Sequence, residues 1–438
     1  GGPQRSPDAL SSKAAVQYQA EPSEGQRCSG CQFYIEDRNG DGQGACAIVA
    51  EKKVDASMPV IQVRDSRYAL GRLAGLNRAE FAGKLVGITG SSGKTTTRQM
   101  MQTVLAEAGS VMATEGNLNN EIGAPLTLLQ LGPDAEFAVV ELGASGLGEI
   151  AWTGSLAAPD VGIITNASAA HLEGFGSLEN IVSAKGEIID SVRAGGTVIL
   201  NHDEAAFEDW RARAGMRRVL SISAQGDQDA SFRAESIRED ADGIAFTLLG
   251  DAVTATDIRL PIPGRHNVAN ALLVAAAAHS LGLDMDRVAR GLANTPAVAG
   301  RLEPITLRPG IRILNDSYNA NPASMAAALR TLAAMPAPRF ALLGDMAELG
   351  SEAASQHRAL GELARQLGIE QLMVTGSHAS DYADGFGDGT HTGDAPESLA
   401  DRVWDELGEA ASILVKGSRS AGMDRAVTRL RERNDDAC

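Results

Sequence analysis

Short apolar runs alternate with amphipathic stretches along most of the chain, beginning near Lys84. The runs have the length and composition of buried strands and lie at 85–89, 137–141, 161–165 and 197–201. Segments with apolar residues at helical spacing separate them, and further helices are predicted after Ser177 and Gly264. This alternation predicts an α/β fold with a mainly parallel sheet, forming a central domain over residues 81–300.

The pattern changes twice after these first strands. Between residues 219 and 261, short alternating strands surround Asp240-Ala241-Asp242-Gly243, which is a hairpin signal. A second series of apolar runs then predicts more strands, at 311–315, 340–344, 372–375 and 413–416. We therefore expect a separate C-terminal α/β domain over residues 301–438, with Arg301 at the hinge.

The segment between the first strand and the first helix has the composition of a phosphate-binding loop. Its residues are Thr89, Gly90, Ser91, Ser92, Gly93, Lys94, Thr95 and Thr96. Glycines let backbone N–H groups point at phosphate oxygens, Lys94 would reach the β- and γ-phosphates, and Thr95 would face a magnesium ion. Ile88 replaces the first glycine of the usual pattern, and Gly109 is the expected helix stop. The alternative is a glycine turn with a chance Gly-Lys-Thr, which the flanking strand and helix make less favourable.

Two titratable residues follow strands that neighbour this loop. Glu141 ends one apolar run, and His171 lies shortly after another. The carboxyl ends of parallel strands meet at one edge of a sheet, where ligands bind. Glu141 offers an oxygen ligand suited to magnesium, and His171 would coordinate or orient a neighbouring group. Either residue alone would more often be a solvated glutamate or a loop histidine, but their joint position at strand ends beside the phosphate loop favours the functional interpretation.

Composition excludes several classes of function. The chain has 438 residues, 44% of them hydrophobic, and a net charge of −17, which argues against a nucleic-acid surface. No apolar run approaches the roughly 20 residues that span a bilayer, and no signal peptide is visible. The four cysteines do not describe a disulfide framework for a chain of this length. We expect a cytoplasmic protein without membrane insertion, and nothing demands more than a monomer.

Eight ordered segments closely resemble motifs of the Mur ligases. They lie at 116–125, 141–150, 169–177, 184–187, 264–270, 315–322, 344–350 and 416–419. The resemblance covers about residues 50–435 and implies a three-domain architecture, with a P-loop central parallel sheet and a Rossmann-like C-terminal domain. Among these ligases the motifs are most similar to those that add D-alanyl-D-alanine to UDP-N-acetylmuramoyl-tripeptide. The implied role is peptidoglycan precursor synthesis with ATP and Mg2+.

The resemblance also implies roles for individual residues. Lys185 matches a lysine that is carbamylated in many members of the family. The carbamate would contact magnesium together with Thr95, Glu141 and His171. The alternative is an unmodified surface lysine. Lys94, His171 and Lys185 are the implied catalytic residues. The implied ATP contacts beyond the loop are Asn267, Asn270, Arg301 and Asp316. The implied substrate contacts are Asn117, Asn319, Asn321, Lys416 and Arg419.

The implied reaction has two steps, an acyl phosphate formed from ATP and then attack by the dipeptide amine. A ligase for a different amino acid, or a folylpolyglutamate-type synthetase, is the alternative within this class. The resemblance leaves open whether the third amino acid of the tripeptide is diaminopimelate or lysine.

The N-terminal 50 residues differ from the rest of the chain. Cys28, Cys31 and Cys46, with the aromatic residues near them, resemble the start of a high-potential iron–sulfur protein. That family holds a [4Fe–4S] cluster with four thiolates, and no fourth cysteine occurs before Cys438, so we expect a [3Fe–4S] or labile cluster at most. An electron carrier is therefore the alternative from another class. Residues 51–80 are interpreted as the remnant of a truncated or replaced uridine-nucleotide-binding domain, which predicts weak binding of the UDP-linked substrate.

Overall fold

The structure, a computed structural model, describes residues 34–35, 45–46, 63, 65–168, 172–240, 243–251 and 253–436. Near the N-terminus it contains one antiparallel pair, β1 (Tyr34–Ile35) with β2 (Ala45–Cys46). Cys28 and Cys31 lie outside the described residues, and Cys46 is described only through its backbone pairing with Tyr34. The interpretations of residues 1–50 and of most of 51–80 therefore stay predictions.

A nine-stranded sheet forms the centre of the molecule. Its strands are β3 (Lys84–Thr89), β4 (Val111–Ala113), β5 (Phe137–Glu141), β6 (Val161–Ile164), β7 (Thr197–Asn201), β8 (Arg218–Ser223), β9 (Phe232–Asp240), β10 (Gly243–Gly250) and β11 (Val253–Leu260). The order across the sheet is β11-β10-β9-β8-β7-β6-β3-β5-β4. Pairs from β4 to β9 are parallel, and β9, β10 and β11 form an antiparallel meander. The hairpin predicted here is confirmed by β9 and β10, which pair antiparallel with Asp240 opposite Gly243.

Helices cover both faces of this sheet. They are α1 (Ser66–Glu80), α2 (Lys94–Ala106), α3 (Gly123–Leu129), α4 (Glu149–Ala157), α5 (Leu172–Phe175), α6 (Leu178–Ser191), α7 (Phe207–Ala214), α8 (His266–Ser280) and α9 (Met285–Ala293). The alanine-rich α8 packs against α2 and several strands, and most of its residues are fully buried. This packing fixes the N-terminal turn of α8 beside the loop that precedes α2.

The C-terminal part of the chain forms a second sheet with its own helices. Its strands are β12 (Glu303–Arg308), β13 (Ile311–Asp316), β14 (Arg339–Leu343), β15 (Gln371–Val374), β16 (Thr390–Thr392) and β17 (Ala411–Lys416). The order is β12-β13-β17-β14-β15-β16, antiparallel only at β12–β13. The helices are α10 (Pro322–Ala333), α11 (Ala353–Gln366), α12 (Ala379–Phe386), α13 (Pro396–Glu406) and α14 (Asp424–Asp436), with 3-10 turns at Gly350–Glu352 and Arg419–Ala421.

This architecture confirms the predicted α/β class and the mainly parallel central sheet. One predicted boundary is wrong, because α2 ends at Ala106 rather than at Gly109. The N–H groups of Glu107, Ala108 and Gly109 turn back to the carbonyls of Val104 and Leu105, so the chain leaves the helix early. Among the described residues, every helix is too short or too polar to cross a membrane.

Trp210 joins α7 to α6 and should contribute strongly to stability. Its side chain is 1% exposed, and its indole N–H donates to the Val182 carbonyl over 3.0 Å. Trp210→Ala is expected to lower the free energy of unfolding by about 3–5 kcal/mol, because a large cavity replaces the ring. Urea unfolding measures this loss, with Met216→Ala as control because Met216 is fully exposed. Similar losses in both variants would contradict the prediction.

Candidate active site

The loop between β3 and α2 has a conformation that requires glycine at two positions. Gly90 has φ +146°, and a Cβ there would lie 1.8 Å from the Thr165 hydroxyl oxygen. Gly93 has φ +78°, and a Cβ there would lie 2.9 Å from the side-chain oxygen of Asn270. Side chains at either position would be strained and would collide with the neighbouring strand end or helix. The loop is therefore tightly fitted between β6 and α8.

Asn166, directly after β6, holds the middle of this loop. Its carbonyl accepts the Ser91 N–H over 3.1 Å, and its side-chain oxygen accepts the Ser92 N–H over 3.0 Å. The Thr89 hydroxyl donates to the Leu142 carbonyl over 2.7 Å. The loop is thus fixed by the strand ends on both sides of β3, as the carboxyl-end rule predicts.

The Lys94 side chain folds back onto the loop. Its Nζ donates to the Gly90 carbonyl over 2.6 Å. Burial is the main cause that lowers the pKa of Lys94 to about 8, with the charge of Glu141 opposing it and the charge of Arg301 assisting it. A half-buried ammonium that donates to the Gly90 and Ser91 carbonyls is well placed to exchange them for phosphate oxygens.

The Glu141 carboxylate is fully buried and carries three polar contacts. Its Oε1 accepts from Arg98 Nε over 2.8 Å, and its Oε2 accepts from the Thr95 hydroxyl over 3.3 Å and from Asn119 Nδ2 over 3.4 Å. Carboxylate and hydroxyl oxygens are ligands that Mg2+ takes together with substrate phosphates. The predicted pair Thr95 and Glu141 is therefore close together, although Arg98 forms an ion pair that was not predicted.

Lys185 on α6 is almost fully buried and lacks a carboxylate partner within ion-pair distance in the described structure. Its Nζ lies 4.9 Å from the centre of the Phe175 ring and 3.4 Å from the Ala144 carbonyl oxygen. Burial and the charge of Lys94 lower the pKa of Lys185 to about 7, and Glu149 and Glu187 oppose this. Much of Lys185 is therefore a neutral amine near neutral pH.

Two asparagines of α8 lie beside the loop, as predicted. Asn267 is 2% exposed and Asn270 is 5% exposed, and the two are joined by a 3.0 Å hydrogen bond from Asn270 Nδ2. Asn267 Nδ2 donates to the Pro263 carbonyl over 2.7 Å. Desolvation lowers the pKa of the adjacent His266, and the charge of Asp316 opposes this.

The opposite wall comes from the C-terminal sheet. Lys416 Nζ donates to Asp316 Oδ2 over 2.6 Å and to the Asn319 carbonyl over 2.9 Å. The Arg301 guanidinium lies 4.3 Å from the centre of the Tyr318 ring, and that of Arg419 lies 5.7 Å from it. Two predicted cations therefore share one aromatic ring that was not predicted.

A cleft of about 340 Å³ separates the two walls. Predicted residues that line it are Ser91, Ser92, Gly93, Thr96, Asn267, Asn270, Arg301, Asp316, Asn319, Asn321 and Lys416. Asn117 is exposed and does not line the cleft. His171 lies outside the described residues. The Asn321 side chain lines the cleft but also caps the N-terminus of α10. The cleft thus brings together the phosphate loop, the segment at and after the end of β13, and the last residue of β17.

Sequence reasoning missed several residues that line the cleft or contact Glu141. They are Arg98, Asn119, Ser168, Asn201, Glu204, His266 and Tyr318, whereas the carboxyl-end rule does indicate Asn166. Arg98 stands one helical turn after Lys94, which is the only local signal for it. Glu204 enters the cleft from the turn after β7, and no sequence motif marks it. Burial raises the pKa of its carboxyl group.

Family models match this chain over both sheets. Residues 88–278 match the Mur ligase middle domain, and residues 300–419 match the Mur ligase glutamate ligase domain. The UDP-N-acetylmuramoyl-tripeptide--D-alanyl-D-alanine ligase of Escherichia coli K12 is 43% identical over 393 residues, covering 89% of this chain and 86% of the relative. The chain belongs to the Mur ligase family.

Solved Mur ligase structures resemble this one over most of their length. MurF from Acinetobacter baumannii gives a TM-score of 0.82 at 31% identity, covering 87% of this chain and 84% of that one. MurF ligase from Thermotoga maritima in complex with ADP gives 0.79 at 27% identity, covering 89% and 88%. The match to MurF confirms the predicted architecture of this Mur ligase and does not favour the folylpolyglutamate-type alternative.

A third family model, that of high potential iron-sulfur proteins, matches residues 8–58 of this Mur ligase. The matched segment contains Cys28, Cys31 and Cys46. The chain therefore combines similarity to two families, as the sequence predicts, while a cluster stays a prediction.

Proposed function

We propose that this chain is an ATP-dependent amide ligase that joins D-alanyl-D-alanine to UDP-N-acetylmuramoyl-tripeptide. The observation that carries the proposal is the cleft, in which a phosphate loop faces Asp316, Asn319 and Lys416. The curated relative of Escherichia coli is named for this reaction. The arrangement suits a reaction that activates a carboxylate with ATP on one wall and delivers an amine from the other.

In the first step, a carboxylate oxygen of the tripeptide attacks the γ-phosphorus of ATP. The bond from this phosphorus to the β–γ bridging oxygen breaks, which gives an acyl phosphate and ADP. The loop N–H groups and Lys94 would bind the phosphates, with Lys94 leaving the Gly90 carbonyl. Asn267, Asn270 and Arg301 would hold the rest of the nucleotide, which makes positioning the main contribution of the protein.

The donor set also fits a magnesium ion bound together with ATP. Thr95 and Glu141 would hold it, and a carbamylated Lys185 and His171 would complete the predicted set. Bound Mg2+ supplies charge neutralisation at the transferring phosphoryl group. Arg98 pairs with Oε1 of Glu141, so Oε2, beside the Thr95 hydroxyl, would be the oxygen that holds the ion.

In the second step, the dipeptide amine attacks the acyl carbon. A tetrahedral intermediate forms, the carbon–oxygen bond to phosphate breaks, and the amine loses a proton to solvent. Lys416 and Asn319, with Arg419 nearby, would orient the dipeptide, and the buried Lys416–Asp316 ion pair would hold this wall rigid. We propose that the enzyme acts as a monomer, with the hinge between its two described domains at about residue 300.

Phosphate release measures the proposed activity. The full chain with ATP, Mg2+, UDP-N-acetylmuramoyl-tripeptide and D-alanyl-D-alanine is expected to release phosphate, and omission of any component should stop it. Calorimetric titration of the UDP-linked substrate tests the predicted weakness of its binding separately. Replacing the dipeptide with single amino acids or with glutamate identifies the acceptor. ATP binding without dipeptide-dependent phosphate would refute the proposed function.

A further inference from the structure

His357 on α11 is fully buried, and both of its ring nitrogen atoms have backbone partners. Nδ1 lies 2.6 Å from the Ala353 carbonyl oxygen, and Nε2 accepts the Met346 N–H over 2.9 Å. A carbonyl only accepts, so Nδ1 must carry the hydrogen. A backbone N–H only donates, so Nε2 must keep its lone pair. The fold therefore requires a neutral imidazole with one tautomer.

Several titratable groups face this ring. The His378 ring stacks on it with centroids 4.4 Å apart, and the Tyr382 ring meets it edge-on at 4.9 Å. His378 is itself paired with Asp381 over 2.9 Å, and Asp345 stands on the loop that carries Met346. Burial and the charge of His378 lower the pKa of His357, and the Ala353 carbonyl, Asp345 and Asp381 oppose this.

The remaining elements packed against α11 bring no further charge to the ring. Helix α10 has one charged side chain, Arg330, which is exposed. The 3-10 turn before α11 has Glu352, which is exposed and accepts from the Ser355 hydroxyl. The protonation state of His357 is therefore set by its own two hydrogen bonds and by the groups of α12 and the Asp345 loop.

The loop held by His357, residues 344–346, also contacts the segment that carries Lys416. The Gly344 N–H donates to the Lys416 carbonyl over 2.9 Å, and the Ser418 N–H donates to the Asp345 carbonyl over 2.9 Å. On its other side, the Tyr382 hydroxyl donates to the Gly344 carbonyl over 3.1 Å. The loop thus lies between the α11–α12 pair and residues 416–418.

We propose that His357 is a positioning residue for D-alanyl-D-alanine. It acts through the 344–346 loop on Lys416, which lies on the dipeptide side of the cleft. His357 does not line the cleft, whereas Lys416 does. Loss of the acceptor at Nε2 would free the Met346 N–H and loosen the loop behind Lys416, while the phosphate loop on the other wall would be untouched. The inference rests on the proposed function, because it assigns Lys416 to the dipeptide side of the cleft.

Two variants separate positioning from folding. His357→Leu removes the acceptor, so KM for D-alanyl-D-alanine should rise about tenfold while KM for ATP stays within about twofold. His357→Gln supplies an amide oxygen that can accept the Met346 N–H, so KM for the dipeptide should stay close to that of the wild type. Leu360→Ala is the matched control, since Leu360 is buried on the same helix and would lower stability without changing KM for the dipeptide.

The pH profile gives a second readout that holds even when His357→Leu fails to fold. In the wild type, kcat/KM for the dipeptide should fall only at a pH below the ordinary histidine range, because burial lowers the pKa of His357 and the imidazolium cannot accept the Met346 N–H. His357→Gln has no titrating ring and should lack this fall. Hydrogen exchange at the Met346 amide should also accelerate in His357→Leu and not in Leu360→Ala.

The outcomes distinguish this inference from the proposed function. A wild type that never consumes the dipeptide refutes the proposed function, and the positioning role of His357 fails with it. An active wild type with an unchanged dipeptide KM in His357→Leu, or with the same change in Leu360→Ala, overturns the inference alone. An acid limb retained in His357→Gln also overturns it.

Discussion

Lys94→Ala is expected to lower kcat for ligation by about 10³-fold, because it removes a cation from the transferring phosphoryl group. No other ammonium or guanidinium group of the described residues donates to a loop carbonyl as Lys94 does to Gly90. The fold should survive, since the hydrogen bonds of the side chain to described residues go only to the Gly90 and Ser91 carbonyls of the loop itself. Phosphate release under saturating substrates measures the change.

Lys84→Ala is the control for loss of a lysine, because the Lys84 side chain is 58% exposed and lies at the opposite end of β3. Its turnover should match that of the wild type. A kcat for Lys94→Ala within tenfold of the wild type would contradict the assignment of Lys94 to phosphoryl transfer.

The lowered pKa of Lys94 adds a pH dependence to ATP binding. Below its pKa of about 8 the free enzyme presents an ammonium to the phosphates, and above it the group is neutral. ATP affinity should therefore fall as pH rises through about 8, and calorimetry in Lys94→Ala should show no such fall. An exposed lysine stays charged to about pH 10, so the same fall would begin roughly two pH units higher if Lys94 had an ordinary pKa.

Lys185→Ala and Lys185→Arg are both expected to lower kcat by about 10²-fold or more. The arginine variant keeps a cation and loses the amine, so it separates charge from carbamate formation. With its pKa near 7, Lys185 is largely a free amine at pH 7.5, and the Nζ lone pair can attack carbon dioxide with loss of one proton. The resulting carbamate would turn a repulsive neighbour of Lys94 into an anion.

Carbon dioxide supplies the direct test. Wild-type activity should fall in degassed buffer at low pH and return with added bicarbonate, and a carbamate signal from labelled bicarbonate should be absent from Lys185→Arg. Activity that is indifferent to bicarbonate, together with a fully active arginine variant, would leave Lys185 as an ordinary buried lysine.

The strands and the phosphate loop could be predicted because their signals are local. Apolar runs bounded by glycine mark β3, β5 and β7 directly, and the carboxyl-end rule places Glu141 near Thr95 before any contact is known. Likewise, Asn267 and Asn270 are spaced one helical turn apart, which places both on the face toward the loop.

The contacts across the sheets could not be predicted because they depend on strand order. Strand β17 lies between β13 and β14, and its register places Lys416 opposite Asp316, which are 100 positions apart in the sequence. Arg98 and Tyr318 similarly acquire their partners only when helix and strands are packed. Asn117 lies in a segment that matches a substrate-binding motif, yet it stands in an exposed turn and does not line the cleft.

In each of the two described domains, hydrogen bonds fix the chain close to the segment that connects them. On the central side, the Thr295 hydroxyl pairs with that of Thr103 over 3.1 Å. On the other side, the Gly300 N–H donates to Glu303 over 3.1 Å, and the Leu302 N–H donates to Asp316 over 3.1 Å. Only residues 296–299 lie between these anchors. Any rotation of the C-terminal domain must therefore occur within these four residues. Arg301 would then move together with Asp316 and Lys416 as part of one rigid body.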